Sequence, residues 1–204
     1  METMGIVDKE FWKGKKVFIT GNTGFKGSWL SLWLHNMGAD VTGFALEPET
    51  KPSLFKILNL KEKTNCVFGD IRNKDLLNLS LKKSKCEVAF HLAAQSLVRK
   101  SYINPYETFS TNIMGTVNFF EALKRSDTVE VAVNITSDKC YENNDLLTSF
   151  SEKFPMGGTD PYSSSKGCSE LITSSYMKSF FSKNVKNYAN IKIAIARAGN
   201  VIGG

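Results

Sequence analysis

The chain has 204 residues, 42% hydrophobic and 23% charged, with 5 prolines, a composition that excludes collagen-like, mucin-like and wholly disordered proteins. Its net charge of +6 comes mostly from lysines scattered along the chain, which we interpret as a solvated surface rather than a nucleic-acid-binding site. No segment approaches the ~20 consecutive apolar residues of a membrane span, and residues 1–11 do not form a secretory signal, so we expect a cytoplasmic protein without membrane partners.

Short apolar runs alternate with longer helical segments along the chain. Strands are predicted at residues 16–20, 40–45, 66–68, 88–91, 129–135 and 191–196, where the runs are continuous and rich in β-branched residues. Helices are predicted at residues 27–37, 74–83, 106–124 and 162–181. This alternation predicts a doubly wound α/β domain, a parallel-sheet Rossmann fold. Residues 47–53 and 143–160 are predicted to be long loops, which tend to be functional.

A glycine-rich turn, residues 20–28 (TGNTGFKGS), follows the first strand and leads into the first helix. Gly21, Gly24 and Gly27 would permit a tight turn, close approach of backbone amides to a pyrophosphate, and close packing of helix on strand. The phosphates would lie at the positive end of the helix dipole. A P-loop is excluded because its lysine must be followed directly by Ser or Thr, whereas Lys26 is followed by glycine. The turn therefore predicts a dinucleotide site.

The residue that ends the second strand bears on which dinucleotide binds. An acidic residue usually stands there to hold the ribose hydroxyls, but Ala45 takes this position and Glu47 is the nearest acid. No arginine lies nearby in the sequence to bind the 2′-phosphate of NADP. We therefore expect NAD.

Polar residues follow the fifth predicted strand, at the sheet edge where open α/β sheets bind ligands. Ser137, Asp138 and Lys139 supply a hydroxyl, a carboxyl and an amine, which could orient a substrate, donate a proton and accept one. The same residues could equally cap a turn and leave the lysine exposed. Residue types alone do not separate these two hypotheses.

Tyr162 and Lys166 begin the fourth predicted helix, directly after Asp160 and Pro161, which favour helix initiation. Because they are four residues apart, they share one helical face, and the ammonium would lower the pKa of the phenol. Such a tyrosine can act as the base for an alcohol. The YxxxK pattern is common by chance, so taken alone it leaves a purely structural role open.

Cysteine and histidine offer little sign of a metal site. The cysteines form no CxxC pair and only two histidines could join them, so we predict reduced thiols and no metal. His91 ends the fourth predicted strand, and we interpret it as a hydrogen-bonded core histidine rather than a catalytic one.

Five stretches carry a resemblance to a known family: residues 21–33, 91–99, 134–142, 160–170 and 197–204. Together they make the chain similar to the extended short-chain dehydrogenase/reductase superfamily and, within it, to the nucleotide-sugar 4,6-dehydratases. The Asp138–Lys139 pair resembles the Asp-Lys pair found at this position in the branch that acts on CDP-glucose. The thymidine-sugar branch has Asp-Glu there, and epimerases usually lack an acid–base pair at this position. The resemblance spans essentially the whole chain.

The resemblance implies catalytic roles for five residues. Tyr162 would take the 4-hydroxyl proton of the sugar while NAD accepts the C4 hydride, with Lys166 beside the tyrosine and Ser137 bonded to the hydroxyl. Lys139 would then remove the C5 proton, and Asp138 would protonate the departing 6-hydroxyl. Return of the hydride to C6 would give a 4-keto-6-deoxy sugar, a precursor of cell-surface polysaccharides such as the O-antigen of lipopolysaccharide.

The resemblance also implies binding contacts. Asp70 and Ile71 would lie beside the adenine, Ser137 and Asn200 would contact the substrate, and Asn112 would tie the active-site strands together. The cofactor-binding residues that it implies are Gly21, Thr23, Gly24, Phe25, Lys26, Gly27, Asp70, Ile71, Leu92, Ala93, Ala94, Gln95, Tyr162 and Lys166.

In this superfamily a C-terminal lobe largely holds the sugar nucleotide. The resemblance therefore implies that residues 1–204 are the NAD-binding Rossmann domain, with the catalytic residues, of an enzyme truncated before that lobe. The full-length form would be a homodimer that acts on a nucleotide sugar, CDP-glucose, and binds no nucleic acid. Three alternatives stay open: another NAD-dependent nucleotide-sugar dehydratase or epimerase, a non-catalytic NAD-binding fragment, and a nucleic-acid-binding Rossmann protein.

Overall fold

The computed structural model describes residues 7–142, 149–182 and 191–202. Within these residues six parallel strands form one sheet in the order β3-β2-β1-β4-β5-β6. The strands are β1 Lys16–Thr20, β2 Asp40–Ala45, β3 Asn65–Phe68, β4 Val88–His91, β5 Val131–Ile135 and β6 Lys192–Ala196. The strand order reverses between β1 and β4, as in a doubly wound Rossmann fold, so the predicted fold class is confirmed.

Nine α-helices accompany the sheet in the described part of the chain. They are α1 Lys9–Trp12, α2 Phe25–Asn36, α3 Leu54–Ile57, α4 Leu60–Lys63, α5 Lys74–Ser84, α6 Val98–Ile103, α7 Pro105–Phe109, α8 Gly115–Leu123 and α9 Pro161–Ser179. A π-helical turn, Ser110–Met114, joins α7 to α8, and a 3-10 turn, Asp138–Cys140, follows β5. Among the helices described, none is long and apolar enough to cross a membrane.

The predicted elements and the observed ones agree closely. All six strands and the four predicted helices are present, with ends within two residues of those predicted. Four short helices, α1, α3, α4 and α6, were not predicted, because four to six residues are too few for a helical period to show in the sequence. Residues 46–53 form no helix or strand, as expected, whereas residues 143–148 of the second predicted loop lie outside the described residues, as do Gly203 and Gly204.

Side chains on the two faces of the sheet form two separate cores, because successive strand residues point to opposite faces. On one face Phe18 and Phe44 pack with Phe119 and Phe120 of α8 and with leucines of α5. On the other face Val17 and its neighbours pack against α2. Fully burying each such side chain contributes about 1.5–3 kcal/mol. The sheet is therefore fixed from both faces, and its carboxyl edge becomes a rigid platform.

The strand register aligns polar residues along that edge. Thr20 of β1 pairs with His91 of β4, and His91 pairs with Asn134 of β5. All three side chains are buried. The register thus brings together the ends of three strands that the sequence had identified separately.

Leu77→Ala tests the core on the α5 side, with Leu79→Ala as its matched control on the same helix. Leu77 is 0% exposed and Leu79 is 48% exposed. We expect Leu77→Ala to lower the free energy of unfolding by about 2–5 kcal/mol through the cavity it creates, and Leu79→Ala to lower it by about 1 kcal/mol or less. Urea unfolding of both variants measures the difference, and equal losses would contradict this description of the core.

Candidate active site

Two positions in the turn after β1 must be glycine, because neighbouring backbone atoms lie too close to leave room for a Cβ. Gly21 has φ +76°, and a Cβ there would lie 2.7 Å from the Ala93 amide nitrogen. A Cβ on Gly27 would lie 2.1 Å from the Gly21 carbonyl oxygen. Only glycine fits at these positions, so the turn packs α2 directly on β1 and on the chain after β4.

The start of α2 offers unsatisfied backbone donors. Gly24, its N-cap, provides no side-chain acceptor, and the first turn contains no acidic residue. Amides at such a helix start carry a partial positive charge that suits an anion. Thr23 donates its hydroxyl to the Leu46 carbonyl (2.9 Å), which ties the turn to the end of β2. The turn therefore has the shape and the donors that a dinucleotide pyrophosphate requires.

Thr20 and His91 fix the chain after β4 beside the glycine turn. The Thr20 hydroxyl oxygen accepts bonds from the Leu92 and Ala93 amides (3.1 and 3.2 Å), so its own hydrogen is donated to His91 Nδ1 (2.7 Å). His91 Nε2 lies 3.3 Å from the Thr116 hydroxyl. Burial lowers the pKa of His91 to about 3, and Lys166 acts in the same direction. His91 is thus a neutral, hydrogen-bonded core histidine, as predicted.

Asn112, in the π-helical turn, connects this chain segment to α9. Its side-chain oxygen Oδ1 accepts a bond from the Gln95 backbone amide (2.7 Å). Its side-chain nitrogen Nδ2 donates to the Gln95 backbone carbonyl (3.0 Å) and to the Ser165 hydroxyl (2.8 Å). Ser165 in turn donates to the Tyr162 carbonyl (2.7 Å). Asn112 has the structural role that the resemblance implied. The Gln95 side-chain amide is bonded to Leu97 and Thr108, so its contact with a cofactor remains a prediction.

Tyr162 lies near the start of α9, where Asp160 caps the helix by accepting the Ser163 amide (3.0 Å). Tyr162 is 9% exposed. Burial raises the pKa of Tyr162 most, the neighbouring Ser137 hydroxyl lowers it by less, and Asp138 and Asp160 add smaller increases. The sequence-based expectation of a lowered pKa was therefore wrong, because spacing indicates the neighbouring charge but not the burial.

Lys166 lies one helical turn after Tyr162 and is 8% exposed. Burial lowers the pKa of Lys166 to about 8, and the nearby Lys26 lowers it as well. Within the described ranges no hydrogen bond or salt bridge involves the Lys166 ammonium. The Lys166 nitrogen is not among the fully buried polar atoms that lack a partner, so it keeps some accessible surface and can donate to ligand hydroxyls.

Ser137, Asp138 and Lys139, here called the acid–base turn, form the start of the 3-10 turn after β5. The Ser137 hydroxyl donates to Asp138 Oδ1 (2.9 Å) and accepts the Lys139 amide (3.2 Å). Lys139 is exposed. Ser137 therefore caps the turn and Lys139 is exposed, as the structural hypothesis expected, while the catalytic roles of these three residues stay a prediction.

Glu170 and Arg197 belong to the site and were not identified from the sequence. Glu170 is 0% exposed, and its carboxylate accepts two bonds from Arg197, at 2.8 Å from Nε and 2.6 Å from Nη2. Burial alone would raise the pKa of Glu170, but Arg197 and the Thr136 hydroxyl together lower it. The available signal was spacing, since Glu170 follows Tyr162 by eight residues and Lys166 by four, on one helical face.

The predicted adenine contacts, Asp70 and Ile71, follow the end of β3. A cavity of about 290 Å³ lies nearby, lined in part by Glu47 and Phe68 but by neither of these two residues. Asp70 is paired with Arg72, whose hydrogen bond lowers the pKa of the carboxyl. The Ile71 side chain is buried in the core, so any contact with a cofactor would come from its backbone.

The remaining predicted residues differ in exposure. Phe25 and Asn200 are exposed, while Lys26, Leu92, Ala93 and Ala94 are half-buried. Among the described residues no group of three or more His, Cys, Asp and Glu side chains could hold a metal ion.

Comparison with known sequences identifies related proteins. The family model described as GDP-mannose 4,6 dehydratase matches residues 18–190. A CDP-glucose 4,6-dehydratase of Salmonella typhimurium is 53% identical over 98% of this chain and 55% of its own length. A dTDP-D-glucose 4,6-dehydratase of Dictyostelium discoideum is 28% identical over 93% of this chain and 44% of its own. The chain spans about half the length of the curated relatives it matches.

Solved structures show the same fold. A UDP-glucose 4-epimerase from Brucella ovis in complex with NAD superposes with a TM-score of 0.75 at 19% identity, over 92% of this chain and 52% of its own. A dTDP-glucose 4,6-dehydratase double mutant from Streptomyces venezuelae with NAD bound superposes with a TM-score of 0.74 at 23% identity. The match covers 89% of this chain and 54% of that structure's chain.

Gly27→Ala and Gly24→Ala form a matched pair within the glycine turn. A Cβ on Gly27 would strike the Gly21 carbonyl, whereas one on Gly24 would lie 3.4 Å from the same atom. We expect Gly27→Ala to destabilise the fold by about 3 kcal/mol and Gly24→Ala to change it by about 1 kcal/mol or less. Thermal unfolding compares them, and a Gly27→Ala variant as stable as the parent would refute the close packing.

Lys166→Met tests the burial of the ammonium. Because the folded-state pKa of about 8 lies below the ordinary value of 10.5, the unfolded chain binds more protons between these values, and stability rises with pH across that window. Below pH 8 the buried charge costs up to about 3 kcal/mol.

We therefore expect Lys166→Met to be more stable than the parent at neutral pH, with an advantage that disappears toward pH 10.5. Urea unfolding across this range measures it, with Lys139→Met as the exposed control. An advantage that does not change with pH would contradict the buried charge.

Proposed function

Because the chain belongs to the GDP-mannose 4,6 dehydratase family, we propose that it carries the cofactor-binding and catalytic residues of an NAD-dependent CDP-glucose 4,6-dehydratase. The observation that carries the proposal is the meeting of two reactive groups beside the glycine turn. Tyr162, suited to alcohol oxidation, has a pKa that the neighbouring Ser137 lowers, and Ser137 is joined directly to the Asp138–Lys139 acid–base pair and bonds to Asp138. An oxidation and an elimination can therefore act on one bound sugar.

NAD fits the residues that are present. The glycine turn provides close backbone approach and free amides for the pyrophosphate, and the Lys166 ammonium is available to the hydroxyls of the nicotinamide ribose. Glu47 lines the cavity at the end of β2, where a carboxylate would accept bonds from ribose hydroxyls and repel a 2′-phosphate. The NAD bound in two solved structures of this fold supports the same cofactor.

The oxidation step uses Tyr162 as the base for the 4-hydroxyl proton. Burial raises its pKa, and the neighbouring Ser137 hydroxyl opposes that effect. Ser137 would bond to the same sugar hydroxyl. NAD, when held by the glycine turn and Lys166, would supply a hydride acceptor for C4 and a hydride donor for C6.

The elimination step uses the acid–base turn. A carbonyl at C4 acidifies the C5 hydrogen, which Lys139 would remove as a proton. Asp138 would protonate the 6-hydroxyl as the C6–O bond breaks, so that one water leaves. Addition of the hydride to C6 and a proton to C5 completes a 4-keto-6-deoxy sugar, and the net change is loss of one water. The product suits deoxysugar synthesis for cell-surface polysaccharides.

The proposal includes a second copy of the chain as partner and a cytoplasmic location. Apolar side chains are exposed on neighbouring helices at Ile103, Tyr106 and Leu171, where a homodimer interface would bury them. The free thiols of the four cysteines suit a reducing compartment.

Tyr162→Phe tests the function in D2O with NAD and saturating CDP-glucose. We expect the parent chain to form a product lighter by one water that carries one solvent deuterium at C5. Loss of the phenolic hydroxyl should lower its rate by about 10²–10⁴-fold, because proton transfer fails while NAD binding is retained. Mass spectrometry and NMR identify the product, and calorimetry measures NAD affinity.

Two further variants separate the steps. Asp138→Asn and Lys139→Met should each bind NAD as the parent does and form little product, because each lacks one elimination group. A product of unchanged mass would indicate an epimerase, and NAD binding without any product would indicate a non-catalytic fragment. Either result would refute the proposed function.

A further inference from the structure

We propose that Glu170 is a positioning residue that holds the acid–base turn in place against Tyr162 and Lys166. The inference rests on the proposed function, since it concerns how the two halves of that reaction come to share one substrate. Glu170 lies on the same face of α9 as Tyr162 and Lys166, and it is fully buried.

The Glu170 carboxylate contacts the chain on both sides of the acid–base turn. Thr136, immediately before the turn, donates its hydroxyl to Glu170 Oε1 (2.5 Å). Cys140, immediately after the turn, has a buried thiol whose pKa is raised first by burial and further by the same carboxylate. One side chain on α9 thus lies against the chain on both sides of the three-residue segment that would carry the acid and the base.

Arg197 extends this anchor to the chain that follows β6. Its Nε and Nη2 bind the two oxygens of Glu170, and its Nη1 donates to the Tyr141 hydroxyl (2.9 Å). The guanidinium also lies 4.9 Å from the centre of the Tyr141 ring. Beside it, the Asp138 amide donates to the Ala198 carbonyl (3.2 Å). The acid–base turn is therefore held between α9 and the segment after β6.

A buried ion pair does not by itself indicate a contribution to stability, because desolvation can exceed the Coulombic gain. What distinguishes this pair is that its neutral partners lie directly before and directly after the acid–base turn: the Thr136 hydroxyl bonds to Glu170, and the Tyr141 hydroxyl bonds to Arg197. The two carboxylate oxygens have fixed directions, so the pair sets orientation as well as distance. Displacement of catalytic groups by about 1 Å can cost about 10²-fold in rate.

Glu170→Gln tests the proposal, because it keeps the shape of the side chain and removes the charge that pairs with Arg197. Glu121→Gln is the matched control, since Glu121 accepts a bond from Tyr176 of α9 (2.9 Å) away from the acid–base turn. The first readout is amide hydrogen exchange at Asp138, Cys140 and Tyr141, compared with amides of β1. It needs no substrate.

We expect Glu170→Gln to speed exchange in the acid–base turn by about tenfold or more, with β1 unchanged, through local opening. We also expect kcat for CDP-glucose conversion to fall about 10–100-fold with NAD affinity unchanged. Glu121→Gln should show neither effect. A uniform rise in exchange, or an acid–base turn that exchanges at the parental rate, would overturn the proposal.

The double variant Glu170→Gln/Arg197→Met separates positioning from stability. Removing both partners leaves no unpaired buried charge, so thermal stability should recover relative to Glu170→Gln alone. If Glu170 positions the turn, exchange should stay fast and kcat low despite that recovery. If the exchange rate of the acid–base turn and kcat both return to parental values when stability recovers, Glu170 is merely structural and the proposal fails.

The two proposals fail in distinguishable ways. A parent chain that makes no product, together with selective loosening of the turn in Glu170→Gln, would refute the proposed dehydratase function and leave the anchoring role standing. A productive parent with a Glu170→Gln variant of equal kcat would refute the positioning role and leave the function standing.

Discussion

The site depends on one constraint: helix α9 buries a polar face. Its buried residues include Ser163, Ser165, Lys166, Ser169 and Glu170, where most globular helices bury apolar side chains. Buried polar groups must be hydrogen-bonded, and their partners come from the carboxyl ends of the strands and from the π-helical turn. Asn134 bonds to Ser169, Asn112 to Ser165, and Thr136 to Glu170. The position of Tyr162 follows from satisfying these bonds.

This constraint explains which parts of the molecule could be predicted from sequence. The strands were predictable because a parallel sheet buries both faces, so each strand is a continuous apolar run. The glycine turn and the Tyr162–Lys166 pair were predictable because their geometry is local. The Glu170–Arg197 pair was not, because 27 residues separate the partners and they meet only once β6 lies beside β5. The raised pKa of Tyr162 was missed for the same reason, since burial is a property of the assembled fold.

Electrostatics in the site are governed by burial acting on groups of opposite charge. It raises the pKa of the Tyr162 phenol and lowers that of the Lys166 ammonium, so both neutral forms are favoured. Lys26 adds a second cation near Lys166. An anionic ligand at the glycine turn would offset this excess of positive charge and raise the pKa of Lys166. Ligand binding and the charge of Lys166 are therefore coupled.

Burial also divides the site into two regions that suit two kinds of chemistry. Tyr162 and Lys166 are nearly inaccessible, and in the proposed reaction such a low-dielectric environment would protect a transferring hydride from water. Lys139 is exposed and Asp138 is half-buried, so the groups proposed to release a water and exchange a proton lie near solvent. Ser137 lies at the boundary and contacts both regions. The three residues from Ser137 to Lys139 therefore connect the buried region, where the oxidation would occur, to the solvent-exposed region, where the elimination would occur. The position of this turn would thus affect both steps of the proposed reaction.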